Sequence, residues 1–131
     1  MSIMTLPSLP RIDGIALIVE DAMIVAYDVA AMLGDFGAAE VVICATLDDA
    51  MRKIAEGLLP TLALLDIDLG GETSLAAARA LAERAVPILY STGYDHEPEL
   101  LGTFPSGAML DKPYTGDDIA RALVAMGFKA T

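Results

Sequence analysis

The most informative stretch of this sequence is Leu62-Ala-Leu-Leu-Asp66-Ile-Asp-Leu69. Its first four residues are all apolar, which is typical of a strand that helices cover on both faces, as in a parallel sheet. An unpaired carboxylate at the end of such a buried run would be unfavourable, because it loses its hydration without gaining a partner. We therefore expect Asp66 to close a buried strand of an α/β protein, at a position where its charge needs a counterpart.

Similar short apolar runs alternate with helical patterns along the rest of the chain. Further strands are predicted at Ile15–Val19, Glu40–Cys44, 87–90 and 108–110. Apolar residues at helical spacing predict helices within 25–36, 47–54, 75–85 and 119–126. This alternation indicates a doubly wound (βα)₅ sheet with helices on both faces and right-handed crossovers. Such sheets bind ligands outside the carboxyl ends of their strands.

Two segments depart from this regular alternation. The segment 95–107 contains Pro98, Gly102 and Pro105, so we expect its fourth helix to be short or mobile. Residues 1–12 contain two prolines and no usable periodicity, and we predict a flexible leader there. The remaining residues, 13–128, are predicted to form one domain.

Composition narrows the functional classes. The chain has 131 residues, a formal net charge of −11 and a single cysteine, Cys44. The negative charge disfavours nucleic acid and anionic membranes and favours cations or basic partner surfaces. A single cysteine cannot form an internal disulfide and suits a reducing cytoplasm, and the apolar stretches are too short to span a membrane. We therefore expect a cytoplasmic protein that binds neither nucleic acid nor membrane.

Polar side chains follow four of the predicted strands. They are Glu20 and Asp21 after the first strand, Asp66 and Asp68 after the third, Thr92 after the fourth, and Lys112 after the fifth. A sheet order of 2-1-3-4-5 would make the first and third strands neighbours and would bring three carboxylates close together. Carboxylates at that distance repel unless a cation or protons neutralise them, and hard oxygen ligands suit Mg²⁺. Carboxylate, metal, hydroxyl and ammonium together form a site for phosphoryl transfer.

Four motifs in this order resemble the receiver domains of two-component response regulators, the CheY-like family. They are Ile18-Val-Glu-Asp-Ala22, Leu64-Leu-Asp-Ile-Asp-Leu69, Ser91-Thr-Gly-Tyr94 and Asp111-Lys-Pro-Tyr114. The resemblance covers residues 13–128 and implies a flavodoxin-like three-layer sandwich with sheet order 2-1-3-4-5. Any one of the motifs alone would be weak, whereas four in the right order are specific.

The resemblance also implies a role for each acidic residue. Asp66 is the expected phosphoacceptor, a nucleophile that becomes an aspartyl phosphate. Asp21, Asp66 and the backbone carbonyl of Asp68 are expected to bind Mg²⁺ directly, and Glu20 is expected to act through a water molecule.

Further roles follow from the same resemblance. Thr92 and Lys112 are expected to contact the phosphoryl group, with Thr92 moving as part of a two-state switch. Asp68 and Tyr94 occupy positions that tune the lifetime of the phosphoryl group. Pro113 is expected to follow a cis peptide bond, which would redirect Lys112.

Within this family the resemblance is closer to a subgroup whose members are often single receivers that work with a related group of histidine kinases. Its Leu-Gly-Gly-Glu motif is present as Leu69-Gly-Gly-Glu72, and its Phe-Ala-Thr-Gly-Tyr motif is changed to Tyr90-Ser-Thr-Gly-Tyr94. Met109 stands where receivers usually have an aromatic residue, so the usual switch cannot work by rotation of an aromatic ring at this position.

The resulting expectation is a stand-alone response regulator that accepts a phosphoryl group from a sensor histidine kinase. It would promote only its own phosphorylation and dephosphorylation, and it would be a monomer or a weak dimer. Its output would be a conformational signal to a downstream protein, or it would drain phosphoryl groups from a shared kinase as a phosphate sink.

Two other interpretations remain open. Leu62 to Asp68 also resembles the haloacid-dehalogenase phosphatase signature, in which Asp66 would be the nucleophile and Asp68 the general acid. The order of the motifs and the short chain argue against it. The second alternative is a degenerate receiver that acts only as a binding module, without phosphorylation.

Overall fold

The computed structural model describes residues 9–93 and 98–129, in which strands and helices alternate. The strands are β1 (Ile15–Val19), β2 (Glu40–Cys44), β3 (Leu62–Asp66), β4 (Ile88–Thr92) and β5 (Ala108–Asp111). The helices are α1 (Met23–Asp35), α2 (Leu47–Ala55), α3 (Leu75–Glu83), α4 (Pro98–Leu101) and α5 (Gly116–Ala125).

The five strands form one parallel sheet in the order β2-β1-β3-β4-β5, which confirms the predicted topology. Strands β3, β4 and β5 extend one or two residues further than the sequence predicted. Asp66 pairs with Ser91 across β3 and β4, and Thr92 pairs with Asp111 across β4 and β5. Asp66 and Thr92 are therefore held in the sheet itself, where backbone pairing limits their movement, whereas Lys112 follows the end of β5.

Apolar residues cover both faces of the sheet, as expected for parallel strands. Leu65 and Tyr90 pack with α2 and α3 on one face, while Leu64 and Leu89 pack with α1 and α5 on the other. Every residue of β3 and β4 is buried, whereas the edge strands β2 and β5 are partly exposed. The molecule is thus a three-layer α/β/α sandwich of the flavodoxin-like type.

Threonine side chains cap the start of two of the helices. The backbone N–H of Asp49 donates to the Thr46 hydroxyl at 3.1 Å before α2. At α5, Thr115 and Asp118 form a reciprocal capping box, which satisfies donors at the helix start. None of the helices in the part of the chain described above is long and apolar enough to cross a membrane.

The fourth helix is short, as predicted, and spans only Pro98–Leu101. After it, the chain packs against β4. The Tyr90 hydroxyl donates to the Pro105 carbonyl oxygen at 2.8 Å, and the Tyr90 and Phe104 rings meet edge to face with centroids 5.5 Å apart. The link between α4 and β5 therefore rests on a buried side chain of the central sheet.

The described chain before β1 packs against the body of the domain. Ile12 is buried, and its backbone N–H donates to the Phe36 carbonyl oxygen at 2.8 Å. Pro10 is buried too, and the Arg11 N–H donates to the Lys129 carbonyl oxygen at 3.1 Å. Residues 10–12, which the sequence analysis assigned to a flexible leader, therefore belong to the packed unit, because Ile12 fills the apolar space beside α1. Residues 1–8 lie outside the described part of the chain.

Candidate functional site

Three acidic residues meet at the carboxyl ends of β1 and β3. Glu20, Asp21 and Asp66 each place one carboxylate oxygen within 4.8 Å of the others. They meet because β1 and β3 are neighbours in the sheet and both strands end at the same edge. The order 2-1-3-4-5 thus brings together the acids that the sequence separates, as the spacing of the motifs indicated.

Asp66 lies at the centre of the cluster. It is the last residue of β3 and only 4% of its surface is exposed. Its Oδ2 accepts a hydrogen bond from Lys112 Nζ at 2.7 Å, and its Oδ1 accepts one from the Asp68 backbone N–H at 3.3 Å. The expected need for a charge partner is met by Lys112, which approaches from the end of β5.

Lys112 bridges two carboxylates. Besides Asp66, its Nζ lies 3.4 Å from Oε1 of Glu20, and its backbone N–H donates to the Thr92 carbonyl oxygen at 2.8 Å. Burial alone would lower the pKa of Lys112, but the hydrogen bond to Asp66 and the negative charges of Asp66 and Glu20 raise it above its ordinary value. Lys112 therefore stays charged at neutral pH. The peptide bond between Lys112 and Pro113 is cis.

Glu20 is the most deeply buried of the acids, with 1% of its surface exposed. Burial raises the pKa of Glu20 to about 7, and the neighbouring charge of Asp66 acts in the same direction. The Ala22 backbone N–H, which donates to Oε2 at 3.1 Å, and Lys112 both oppose this increase. Carboxyl groups with strongly raised pKa values that lie beside a cavity are typical of functional sites.

A cavity of about 610 Å³ opens onto this cluster. Its walls come from all the loops at the carboxyl edge except the one that follows β2. The lining residues are Asp21, Asp66, Asp68, Gly70, Gly71, Glu72, Thr73, Gly93, Leu100 and Lys112. Carboxylates therefore dominate a concave site that also holds one ammonium group.

The segment from Asp68 to Thr73 forms a tight turn along one wall of this cavity. Asp68 and Thr73 form an antiparallel bridge, and the Leu69 N–H donates to the Glu72 carbonyl oxygen at 2.7 Å. Leu69 is buried in the core and anchors the turn from below. Gly70 and Gly71 both have positive φ angles, 73° and 107°, which a residue with a side chain adopts only under strain.

Thr92 is the last residue of β4, and Met109 is the second residue of the neighbouring strand β5. Thr92 is buried, and its hydroxyl donates to the Gly93 carbonyl oxygen at 3.2 Å. Met109 pairs with Tyr90 in the sheet and is 43% exposed, so its side chain lies on the surface. Tyr94, expected to tune the phosphoryl lifetime, falls outside the described residues.

The sequence analysis assigned no role to Tyr114 or to Gly70. The Tyr114 hydroxyl is buried, and within residues 9–93 and 98–129 it has no hydrogen-bond partner. Burial raises the pKa of Tyr114, and the charge of Glu20 acts in the same direction. The Asp111-Lys-Pro-Tyr114 motif contained this residue, but an aromatic ring at that position also fits ordinary core packing.

The donor set fits a small divalent cation. Three carboxylates lie close together, and Lys112 is the only cationic side chain that the structure places among them in the described part of the chain. Mg²⁺ prefers oxygen ligands, uses one or two carboxylates and retains several waters, for which the open cavity leaves room. The acidic cluster is therefore compatible with Mg²⁺.

No protein-family model matches the chain, and none of the curated proteins matches it. Solved structures do match. The N-terminal domain of a response regulator/sensory box/GGDEF protein from Carboxydothermus hydrogenoformans is 27% identical, with a TM-score of 0.70 over 85% of this chain and 94% of that one. A response regulator receiver protein from Burkholderia phymatum is 22% identical, with a TM-score of 0.75 over 89% and 98% of the two chains.

A third match is to part of a longer protein. The anti-anti-sigma factor PhyR from Bartonella quintana is 26% identical, with a TM-score of 0.70 over 88% of this chain and 48% of that one. These neighbours match the chain over most of its length at the level of the fold. The chain has the fold of a CheY-like response-regulator receiver domain.

Proposed function

We propose that the chain is a response regulator that accepts a phosphoryl group on Asp66, in a Mg²⁺-dependent reaction with a sensor histidine kinase as donor. One observation carries this proposal. The carboxylate of Asp66 is held by Lys112 at 2.7 Å beside two further carboxylates, at the mouth of an open cavity. This is a nucleophile together with the groups that neutralise charge during phosphoryl transfer.

In the proposed reaction, an Asp66 carboxylate oxygen attacks the phosphorus of the donor. A bond forms between that oxygen and phosphorus, and the bond between phosphorus and the donor's leaving group, an imidazole nitrogen of the kinase, breaks. The leaving nitrogen keeps the electron pair of the broken bond. The product is an acyl phosphate on Asp66.

The remaining side chains would balance the charge. Asp21, Asp66 and the Asp68 carbonyl would hold Mg²⁺, with Glu20 acting through water. When bound, this ion would neutralise the oxygens of the transferring group. Lys112 already donates to Asp66 and would contact the phosphoryl oxygens after transfer.

Thr92 would report the phosphorylated state. Its hydroxyl donates to the carbonyl oxygen of the next residue, Gly93. A phosphoryl oxygen could accept the hydroxyl proton instead, in a stronger, charge-assisted hydrogen bond. Asp68 and Tyr94 would tune the lifetime of the product. With Met109 on the surface in place of an aromatic ring, the response would reach the α4–β5 side by another route.

Intact-mass measurement after incubation with phosphoramidate or acetyl phosphate and Mg²⁺ tests the proposal. We expect a gain of one phosphoryl group that is lost with EDTA and in Asp66→Asn. Asp68→Asn is the matched control, since it removes a carboxylate from the same cavity and should still be phosphorylated. A folded wild-type chain that gains no mass with any donor would instead be a binding module.

Two outcomes would point elsewhere. A mass gain that persists in Asp66→Asn would place the acceptor on another residue. Sustained hydrolysis of a phosphomonoester, lost in Asp68→Asn, would indicate a phosphatase in which Asp68 is the general acid.

The output of the proposed regulator is a signal to a downstream protein or the drainage of a shared kinase, in a cytoplasmic setting. Competition for a phosphorylated kinase distinguishes them. A phosphate sink must lose its phosphoryl group quickly and must lower phosphorylation of a second regulator, whereas a signalling output requires a lifetime long enough to engage its target.

A further inference from the structure

Gly70 lies against the carboxylate of Asp21. A Cβ atom built at Gly70 would lie 3.0 Å from Oδ2 of Asp21. The two residues belong to segments that are far apart in sequence, since Gly70 lies in the turn after β3 and Asp21 in the loop after β1. It is tighter than most contacts of a real Cβ atom, so a side chain at residue 70 would require Asp21 to move.

We propose that Gly70 is a positioning residue for the metal site, because its lack of a side chain leaves the space in which Asp21 can direct Oδ2 toward a divalent cation. This inference rests on the proposed function, which makes Asp21 a ligand of Mg²⁺. It assigns Gly70 a role beyond its place in the turn.

Comparison with the neighbouring Gly71 distinguishes this proposed role of Gly70 from the requirement of the turn for a positive φ angle. Gly71 also has a positive φ angle, and at 107° it lies further from the left-handed minimum than Gly70 at 73°. A Cβ atom at Gly71 would meet no heavy atom within 4 Å. The backbone of the turn therefore favours glycine at both positions, because any other residue there would be strained. Only at residue 70 would an added side chain also meet a residue of the acidic cluster, Asp21.

The contact should affect ion binding more than folding. Asp21 is exposed, so its carboxylate can rotate away from an added methyl group at little cost. Rotation would displace a ligand by a few tenths of an ångström or more. Mg²⁺ requires near-ideal octahedral geometry with short bonds, whereas Ca²⁺ tolerates longer bonds and irregular arrangements. A side chain at residue 70 should therefore weaken Mg²⁺ binding more than Ca²⁺ binding.

The test is a titration of the full chain with Mg²⁺ and with Ca²⁺, followed by NMR shifts or calorimetry, in wild type, Gly70→Ala and Gly71→Ala. Both variants should lower the urea midpoint because of left-handed strain. Gly70→Ala should weaken Mg²⁺ binding by roughly tenfold, the low end for changes to groups that orient a metal ligand. Gly71→Ala should bind Mg²⁺ like wild type, and the Ca²⁺ affinity of Gly70→Ala should fall less than its Mg²⁺ affinity.

A second pair of variants covers the case in which alanine prevents folding. Asn tolerates the left-handed conformation better than Ala, so Gly70→Asn and Gly71→Asn carry the same Cβ atoms with less strain. Equal Mg²⁺ affinity in the two variants of either folded pair overturns the inference, whether both lose affinity or both keep it. A wild-type chain that binds no Mg²⁺ overturns the proposed function, and this inference with it.

Discussion

Lys112 is the residue on which the charge balance of the acidic cluster depends. Its ammonium group contacts Asp66 at 2.7 Å and Glu20 at 3.4 Å, and both carboxylates are almost fully buried. Removing one partner of a buried ion pair leaves the other charge without compensation, which is more unfavourable than replacing both. Lys112 therefore stabilises the ion-free protein, while its positive charge opposes the binding of a second cation.

These opposing effects lead to a prediction for Lys112→Met. Without Mg²⁺, the variant should lose about 1–3 kcal/mol of unfolding free energy, less than for a fully buried pair because the lysine side chain is partly exposed. Saturating Mg²⁺ should restore more stability to the variant than to wild type, since the ion then takes over the charge of the lysine. Urea denaturation with and without Mg²⁺ measures both effects. Lys129→Met, which makes the same change of net charge on the surface, should respond to Mg²⁺ like wild type.

At the residue scale, the sequence predicted the acids, Thr92 and Lys112 because they follow apolar strands, in motifs that resemble those of receiver domains. It did not predict the role of Gly70, because that role depends on a contact with Asp21, 49 positions earlier, that only the folded loops create. The buried hydroxyl of Tyr114 was missed for a related reason. A ring at that position suits the core equally well, and nothing in the sequence shows where its oxygen lies.

At the scale of elements, strand β4 and the α4–β5 connection are joined by Tyr90. The ring is buried between β4 and Phe104, and its hydroxyl holds the carbonyl of Pro105. Gly107 adds to this fit, since a Cβ atom there would lie 2.6 Å from the Tyr90 ring. Movement of the α4–β5 connection would therefore break the hydrogen bond of the Tyr90 hydroxyl. Because Tyr90 lies two residues before Thr92, strand β4 contacts this distant loop close to Thr92.

Two Tyr→Phe variants test this interpretation. Tyr90→Phe should lower the unfolding free energy by about 1 kcal/mol, because it removes a partner of the Pro105 carbonyl. It should also speed amide exchange in 103–106. Tyr114→Phe removes a hydroxyl for which the described chain provides no hydrogen bond, so it should be neutral or stabilising. Equal losses in the two variants, measured by urea denaturation, would contradict this assignment.

Helix α5 provides a prediction of pH dependence. The Thr115 N–H donates to the Asp118 carboxylate at 2.8 Å and, with the help of Arg121, holds the pKa of Asp118 below its ordinary value of 3.8. A lowered pKa in the folded state means that the ionised group adds stability at neutral pH, and that this stability is lost as the pH falls through the lowered pKa. Asp118→Asn should therefore be less stable than wild type at about pH 7, with the difference shrinking as the pH falls below the ordinary value of 3.8. Chemical denaturation at several pH values measures this difference, and an equal difference at every pH would contradict the prediction.

The sequence predicted the type and order of the elements well and their ends less well. Strands β3 and β4 run into Asp66 and Thr92, which seemed to follow them, because pairing with a neighbouring strand continues as long as both backbones stay extended. Pairing of this kind is a tertiary property, which hydrophobic patterns along one segment do not report. The short α4 was predictable, because its prolines and glycine act locally.

At the scale of the whole molecule, a high negative charge surrounds two apolar cores. The formal net charge is −11, and five of the acidic residues lie in or beside one cavity or the cluster beneath it. Added salt should therefore stabilise the fold by screening self-repulsion, whichever cation is used. A specific ion site should add a further effect that screening does not explain.

Thermal unfolding in MgCl₂ and in NaCl of equal ionic strength separates these effects. Both salts should raise the midpoint of wild type, and Mg²⁺ should raise it further, by an amount equivalent to about 2.7 kcal/mol when its concentration is 100 times the dissociation constant. In Asp21→Asn the excess should fall sharply, while the response to NaCl stays similar. An equal response of wild type to both salts would contradict a specific site.

The alternating elements indicated a doubly wound sheet, and the resemblance to receiver domains implied the order 2-1-3-4-5, which the structure has. The boundary of the domain was harder to predict. Ile12 is a single apolar residue after a stretch without periodicity, and its burial depends on the space beside Phe36, which no local pattern reveals.

The hydrogen bond between Arg11 and Lys129 has a consequence for the design of variants of this domain. It makes the two ends of the packed unit neighbours at the edge of the sheet away from Asp66, where α1 and α5 finish. A short linker could join them directly, and the exposed loop between α2 and β3 would then be a natural place to open new termini. Circular permutation would in that case leave the acidic cavity intact.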